Sequence, residues 1–375
     1  MRFIRQRVGL VVCVMLAACG GSGDDPAAPA AAFQGTYFFA ALGGSQIDVP
    51  ARSHMDAGAL VADGIGSASA TISLNNEDGV IGAGSVIPLT FTVGADGVLD
   101  LRDGSGSVMT GGLPTGGDLA LGAGLTPAEE PLLMMMVKSV GTFGNASLNG
   151  DYHLFGVIPS AAGSQMTTVQ GVTFDGLGGM SNSTLPGWSN FSGSVTPLPA
   201  FATVGTYAVA ADGRVTVDGG VAMGHLTGAV LAGGNFAILA GDTVAGFPPR
   251  LFLLLKVGAG LTNATFSGSY WLAGIAFLDA TLTDFGCASG DLVADGAGGL
   301  PVVDQVLNIE GTIVPNTAAD DYAVSPNGTL LTGDVGGSSG GPKQQGAITP
   351  DGRIAVMSGS IVAGGAPMLY LVVRK

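Results

Sequence analysis

The sequence predicts an all-β protein of three tandem antiparallel meander modules, each of about eight strands and barrel-like in closure. Three observations lead there. A short motif occurs three times, as Phe33-Gln34-Gly35-Thr36-Tyr37, Leu148-Asn149-Gly150-Asp151-Tyr152 and Phe266-Ser267-Gly268-Ser269-Tyr270, with its glycines 115 and 118 residues apart. Turn signals follow each copy in the same order. No helical periodicity of useful length appears beyond the N-terminus. Glycine makes up 65 of the 375 residues without any collagen triplet, so the glycines read as turns, bulges and close strand contacts.

In chain order, the first element is an address. Arg2, Arg5 and Arg7 precede an apolar run over residues 8–18 that ends Leu16-Ala17-Ala18-Cys19. The run is about half the roughly 20 residues a membrane-spanning helix needs, and it suits the apolar core of an export signal. The box before the cysteine resembles the lipobox of bacterial lipoproteins. That resemblance implies that residues 1–18 are removed as a signal peptide and that Cys19 becomes the acylated first residue. Several acyl chains of palmitate type make a stable anchor, because each buried CH₂ contributes about 0.8 kcal/mol. It also implies a cell-envelope location. Gly20 stands where, in enteric bacteria, an aspartate would favour the inner membrane, which points to the outer one. Residues 19–32, rich in Gly, Ser, Ala and Pro, read as a flexible tether.

The modules follow at residues 33–138, 146–256 and 264–375, with boundaries near 139–147 and 257–265. Each is long enough to fold by itself. The first turn of each is Asp63-Gly64, Asp175-Gly176 or Asp295-Gly296, and the second is Asp96-Gly97, Asp212-Gly213 or Asn327-Gly328. The third is Gly117-Asp118, Gly234-Asn235 or Asp351-Gly352, and each module closes on an apolar strand ending in a base: Lys138, Lys256, or Arg374 with Lys375. All six tyrosines stand at repeat-equivalent places.

The second turn carries a register. A three-residue loop such as Ala95-Asp96-Gly97, with its glycine left-handed in a G1 bulge, sets Val93 opposite Leu99 and Phe91 opposite Leu101. The same loop sets Val209 opposite Val215 and Tyr207 opposite Val217, whereas a two-residue loop would mix the faces. In the third module Pro326 takes the first loop position, where a type I turn favours proline. Extended to Pro350-Asp351-Gly352, the device pairs Ile348 with Ile354. Gly97, Gly213, Gly328 and Gly352 are therefore expected to be structural turn residues with positive φ.

Eight meandering strands can close and remove their edges. The pattern resembles lipocalin-like and avidin-like up-and-down barrels, and the Gly-x-Tyr and Asp-Gly modules of uncharacterised exported bacterial proteins. A sandwich would use similar hairpins; a propeller blade, at about 40–50 residues, is too short for this period. The closing strands are apolar on both faces, so one face should fill a barrel and the other pack on a loop or a neighbouring module. Aromatic residues are only 6% of the chain, too sparse for the two girdles of a transmembrane barrel.

Charge excludes one class of partner. The formal net charge is −15, and about −18 once three arginines leave with the signal, which repels phosphate backbones and sets nucleic acid aside. Cys13 leaves with the signal and Cys19 is lipidated, so Cys287 stands alone as a buried apolar residue. Chemistry is hard to find. His54, His153 and His225 lack metal-ligand spacing, and His153 follows the module tyrosine where the other copies carry Phe38 and Trp271. Gly337-Ser338-Ser339-Gly340-Gly341-Pro342 fits the nucleophile-elbow pattern and is similar to the serine segment of trypsin-like proteases, with Ser338 in place of aspartate. No helix follows it, and no histidine stands in the context that family needs. The acidic stretches Asn75-Asn76-Glu77-Asp78-Gly79 and Ala319-Asp320-Asp321 lack the regular oxygen spacing of a calcium loop. Asn145-Ala146-Ser147 and Asn263-Ala264-Thr265 fit the glycosylation pattern, a mark uncommon in bacteria.

The expectation is a lipid-anchored envelope protein with a structural or binding role, without cofactor, metal or catalytic residue. Its partners would be the membrane, through Cys19, and an envelope or extracellular protein or a small apolar ligand. The alternative is a carrier of small apolar ligands in lipocalin-like barrels; a hydrolase with an unrecognised site is the remote one.

Overall fold

The computed structural model describes residues 32–45, 52–77, 79–82, 84–127, 130–159, 166–191, 194–198, 205–219, 224–241, 248–277, 285–333, 344–360 and 367–375. The expected signal peptide, Cys19 and residues 19–31 of the tether lie outside the described residues, as do Asp78 and the stretch around Ser338.

Three closed antiparallel barrels of eight strands each account for the rest. The first runs through Gln34–Ser45, Arg52–Asp63, Ser67–Glu77, Val86–Val93, Val98–Arg102, Ser107–Gly112, Leu119–Ala123 and Leu132–Lys138. Its first strand pairs with both the second and the eighth, which closes the ring; the short strand Val80–Ile81 flanks the third. The second barrel runs through Asn149–Ile158, Met166–Asp175, Gly179–Asn182, Gly205–Val209, Arg214–Asp218, His225–Val230, Phe236–Gly241 and Arg250–Lys256. An extra hairpin, Gly187–Phe191 with Ser194–Leu198, pairs along its second strand. The third runs through Ser267–Phe277, Phe285–Asp295, Gly299–Ile309, Thr312–Val324, Thr329–Thr332, Gln344–Ile348, Ile354–Ser360 and Met368–Arg374.

The second turns hold the expected register. Val93 pairs with Leu99, Val209 with Val215 and Val324 with Leu330. Gly97, Gly213 and Gly328 have φ of +87°, +82° and +86°, values a Cβ disfavours. In each loop the glycine N–H donates back three residues, as Gly97 N does to the Gly94 carbonyl at 2.9 Å. Gly352 also has positive φ, +65°, but the pairing expected around it is wrong by one residue. Ile348 pairs with Ala355, not with Ile354. The loop there holds four residues, Pro350 to Arg353: Gly352 N–H donates to the Thr349 carbonyl and Thr349 N–H to that of Ile354, both at 2.8 Å. The extra residue turns Ile354 out of the barrel and Ala355 in.

That turn matters because the walls around the eighth strands are buried on both sides. Along the eighth strands, Met134 and Met136, Phe252 and Leu254, and Val372 fill their own barrels. The alternate residues Leu133, Met135 and Val137, Leu251, Leu253 and Leu255, and Leu369, Leu371 and Val373 join one further core shared by all three barrels. First strands divide the same way: Tyr37, Tyr152 and Tyr270 point inward, while Phe38, Phe155 and Trp271 point to the shared core. Period-two alternation thus produces two apolar faces from one apolar run.

The barrels meet cyclically. The first and second strands of barrel one lie against the sixth to eighth of barrel two. Those of barrel two lie against the seventh and eighth of barrel three, and those of barrel three against the sixth to eighth of barrel one. The result is a closed ring of three with approximate threefold symmetry. All three barrels also point the same way. Barrel three touches barrel one near its second turn, through Trp271 beside Gly97 and Gly112, and at the opposite end, through the Cys287 thiol and the Gly124 carbonyl (3.3 Å). Barrels two and three meet through His153 and the Asn327 carbonyl at the turn end (3.4 Å), and through Trp188 and Gln345 at the other (2.9 Å).

Candidate functional site

The ring has two dissimilar faces. One gathers the first, second and third turns of every barrel, the start of each first strand and the end of each eighth. It is built alike in the three copies. The Asp63 carboxylate accepts from the N–H groups of Ile65, Gly66 and Ser67 at 2.8–3.0 Å. Asp175 and Asp295 do the same for 177–179 and 297–299. These backbone donors, those of Ile65, Leu177 and Gly299 foremost, hold the three carboxyls below the usual range. The module tyrosines staple the first strand to the third turn: Tyr37, Tyr152 and Tyr270 donate to the carbonyls of Gly117, Gly234 and Gly352 at 2.7, 2.8 and 3.0 Å. Burial pushes the Tyr152 phenol up to about 12.

Asn145 and Asn263, read in the sequence as part of a glycosylation pattern, are caps. Each sits in a short 3₁₀ turn, accepts from the N–H of Val209 or Val324 at 2.8 Å, and donates to the carbonyl of Leu177 or Ala297. Tyr207 and Tyr322 donate to the carbonyls of Leu148 and Phe266; barrel one has Phe91 there, edge-on to Phe33 at 4.9 Å.

The opposite face carries the other connections, and these differ between copies. Between third and fourth strands lie residues 78–85 in barrel one, 183–204 with the extra hairpin in barrel two, and only Glu310-Gly311 in barrel three. Between fifth and sixth strands the connections are 103–106, 219–224 and 333–343.

The barrel interiors are filled. Phe33 and Tyr37, Tyr152 and Phe174, and Phe266 and Tyr270 are fully or almost fully buried in them. The mouth of barrel three keeps a cavity of about 170 Å³, lined among others by Leu272, Gln305, Asp320 and Tyr370. A groove of about 590 Å³ runs between barrels one and two, with Ser73 and Leu74 on one wall and Thr206, Thr216, Asp218 and His225 on the other.

The three histidines stay apart. His54 faces Glu130 at 3.7 Å, His225 faces Asp218 at 3.8 Å, and His153 is buried between barrels two and three, where burial lowers its pKa. Its place, shared with Phe38 and Trp271, is a buried interface position in all three copies. A signal was present: the three occupants are large and flat, and they differ while the neighbouring tyrosine does not. Cys287 is closed off between barrels three and one, where burial pushes its thiol up to about 12. Arg353 of barrel three donates through both terminal nitrogens to the carboxylate of Asp118 in barrel one, the Nη1 contact being 2.7 Å; the equivalent residue in barrel two is Asn235. Among the described residues, no three His, Cys, Asp or Glu side chains are grouped to hold a metal ion. No helix of the described residues is long and apolar enough to cross a membrane.

The chain is thus a three-barrel β protein with one regular and one divergent face. No protein-family model and no curated protein matches it. Among solved structures it is similar to transferrin binding protein B from serogroup B Neisseria meningitidis, at 8% identity and a TM-score of 0.22, covering 91% of this chain and 76% of that one. It is also similar to a double mutant of transferrin binding protein B from Haemophilus parasuis Hp5, at 9% identity and a TM-score of 0.25, covering 91% and 76%.

Proposed function

We propose that the protein is an envelope lipoprotein, anchored through acylated Cys19, whose ring of barrels is a rigid non-enzymatic platform that holds its divergent face toward a binding partner. One observation carries the reading. The first strand begins, at Gln34, on the regular face, so the segment that follows Cys19 joins the ring there and the unequal connections lie on the far side. Loops that vary on a fixed frame are where binding specificity is normally placed. Filled interiors weigh against a carrier, since the cavity of about 170 Å³ in barrel three falls below the roughly 300–1,000 Å³ of small-molecule pockets.

The test has two arms. Metabolic labelling with a fatty-acid analogue should mark the wild type and not Cys19→Ser; label persisting on the variant refutes the anchor. Photo-crosslinking residues at Phe191, in the extra hairpin, and at Leu177, on the regular face, should give a discrete protein adduct on cells from the first alone. An adduct from Leu177 alone refutes the display of the divergent face.

A further inference from the structure

Ile65 and Leu177 are the two most exposed large apolar side chains among the described residues, at 87% and 85%. They occupy equivalent places, at the tips of the first turns of barrels one and two, and barrel three has Ala297 there. Val140, half exposed, lies on the same face in the link between barrels one and two. Two apolar tips raised at repeat-equivalent positions do not follow from the needs of the turn, which the third copy makes with alanine.

The face they stand on is the one the tether enters. Between Cys19 and Phe33 the chain covers 14 residue steps, which span at most about 50 Å. Acyl chains on Cys19 therefore keep this face near the bilayer, and the common direction of the three barrels keeps both tips on it. The tips are also prepared to lose water. Ile65 N–H and the next two donors are taken by Asp63, and Leu177 N–H and its next two by Asp175. The Leu177 carbonyl accepts from Asn145. Most of the tip backbone therefore enters an apolar layer already paired, which is the condition the layer imposes. The strongly acidic charge of the chain excludes attraction to anionic headgroups as the source of contact.

We infer that Ile65 and Leu177 dip into the lipid surface beside the anchor, so that the ring stands on the membrane on its first turns with a fixed orientation. This rests on the lipid-anchor reading, and the occupant is a bilayer surface, not a protein.

The test uses the mature chain, residues 19–375, coupled through the Cys19 thiol to maleimide-bearing lipid in phosphatidylcholine vesicles with brominated acyl chains. Cys287 is buried and stays out of the coupling. Single variants Ile65→Trp, Leu177→Trp and, on the far face, Phe191→Trp are compared by fluorescence against the buried Trp188 and Trp271. The first two should shift to the blue and lose emission to the bromine, unchanged by added salt, while Phe191→Trp should do neither. Equal emission from all three on brominated and plain vesicles overturns the inference, as does quenching of Phe191→Trp alone. Because the coupling is chemical, the result does not depend on acylation in the cell. Unquenched tips in a protein shown by mass spectrometry to be acylated sink this inference and leave the anchor standing. Quenched tips in a protein that cells do not acylate do the reverse.

Discussion

The contact between Trp271 and Gly112 offers a direct measure of how firmly barrel three is seated on barrel one. Trp271 projects from the first strand of barrel three into the shared core, and Lys375 Nζ lies 3.7 Å from its ring centroid. Its indole covers Gly112: a Cβ built there would stand 2.0 Å from Trp271 Cγ, and the next two nearest atoms also belong to that ring. The φ of Gly112 is not in the left-handed region, so alanine is barred by the indole and not by the backbone. Trp271→Ala removes a buried aromatic and should cost about 3–5 kcal/mol. Gly112→Ala forces the indole away and should cost about 1–3 kcal/mol, as overpacking does. In the Trp271→Ala background the obstacle is gone, and the same glycine replacement should be close to neutral, or gain about 0.4–1 kcal/mol from the stiffer unfolded chain. The cycle should therefore show a coupling of roughly 1–3 kcal/mol. The assay is urea unfolding of the unacylated mature chain followed by circular dichroism, with the slope checked so that midpoints can be compared. Costs that add to within about 0.5 kcal/mol would refute the contact, and with it the seating of the two barrels.

Four further outcomes follow from the same geometry. Gly213→Val places a β-branched residue at φ +82°, with the Phe143 ring 3.0 Å from its Cβ; it should lose at least about 1–2 kcal/mol, more than Gly213→Ala, in the same urea titration. Tyr152→Phe leaves the buried Gly234 carbonyl without its donor and should cost about 1–3 kcal/mol, measured likewise. The Cys287 thiol should resist alkylation at pH 8 until the chain is unfolded. Its folded pKa, about 12, is raised above the ordinary value of 9.0, so its contribution is complete below pH 9 and is lost as pH climbs from there toward 12, which a stability profile over pH 8–11 should register as a decline. A fragment of residues 146–256 keeps its own filled barrel but bares Phe155, Phe236, Ile238, Leu251, Leu253 and Leu255 on the outside; it should sediment as an oligomer, and a monodisperse monomer would contradict the shared core.

Much of this architecture could be read from residues near one another in the chain. The repeat, the hairpin register at Val209 and Val215 and the left-handed Gly97, Gly213 and Gly328 all express local rules: a turn type demands a glycine, and a buried face forbids a one-residue slip. The same reasoning failed at Ile354, because three-residue and four-residue loops both suit Pro350-Asp351-Gly352, and with apolar residues at 348, 354 and 355 the pattern could not choose between them. Two apolar faces on the eighth strands said that something covers the outer one, but not what.

Composition, the N-terminal basic and apolar run, three copies of a turn grammar and the alternation of apolar positions were thus set by sequence alone, because each depends on bonds and faces within a few residues. The ring, its common direction and the roles of Trp271, His153 and Cys287 were decided only by tertiary packing. The outer apolar rows are alike in all three barrels, so each could cover any other. What selects one cyclic arrangement is the fit of unlike side chains at equivalent positions, an indole over Gly112 or Arg353 against Asp118, across more than a hundred residues of intervening chain.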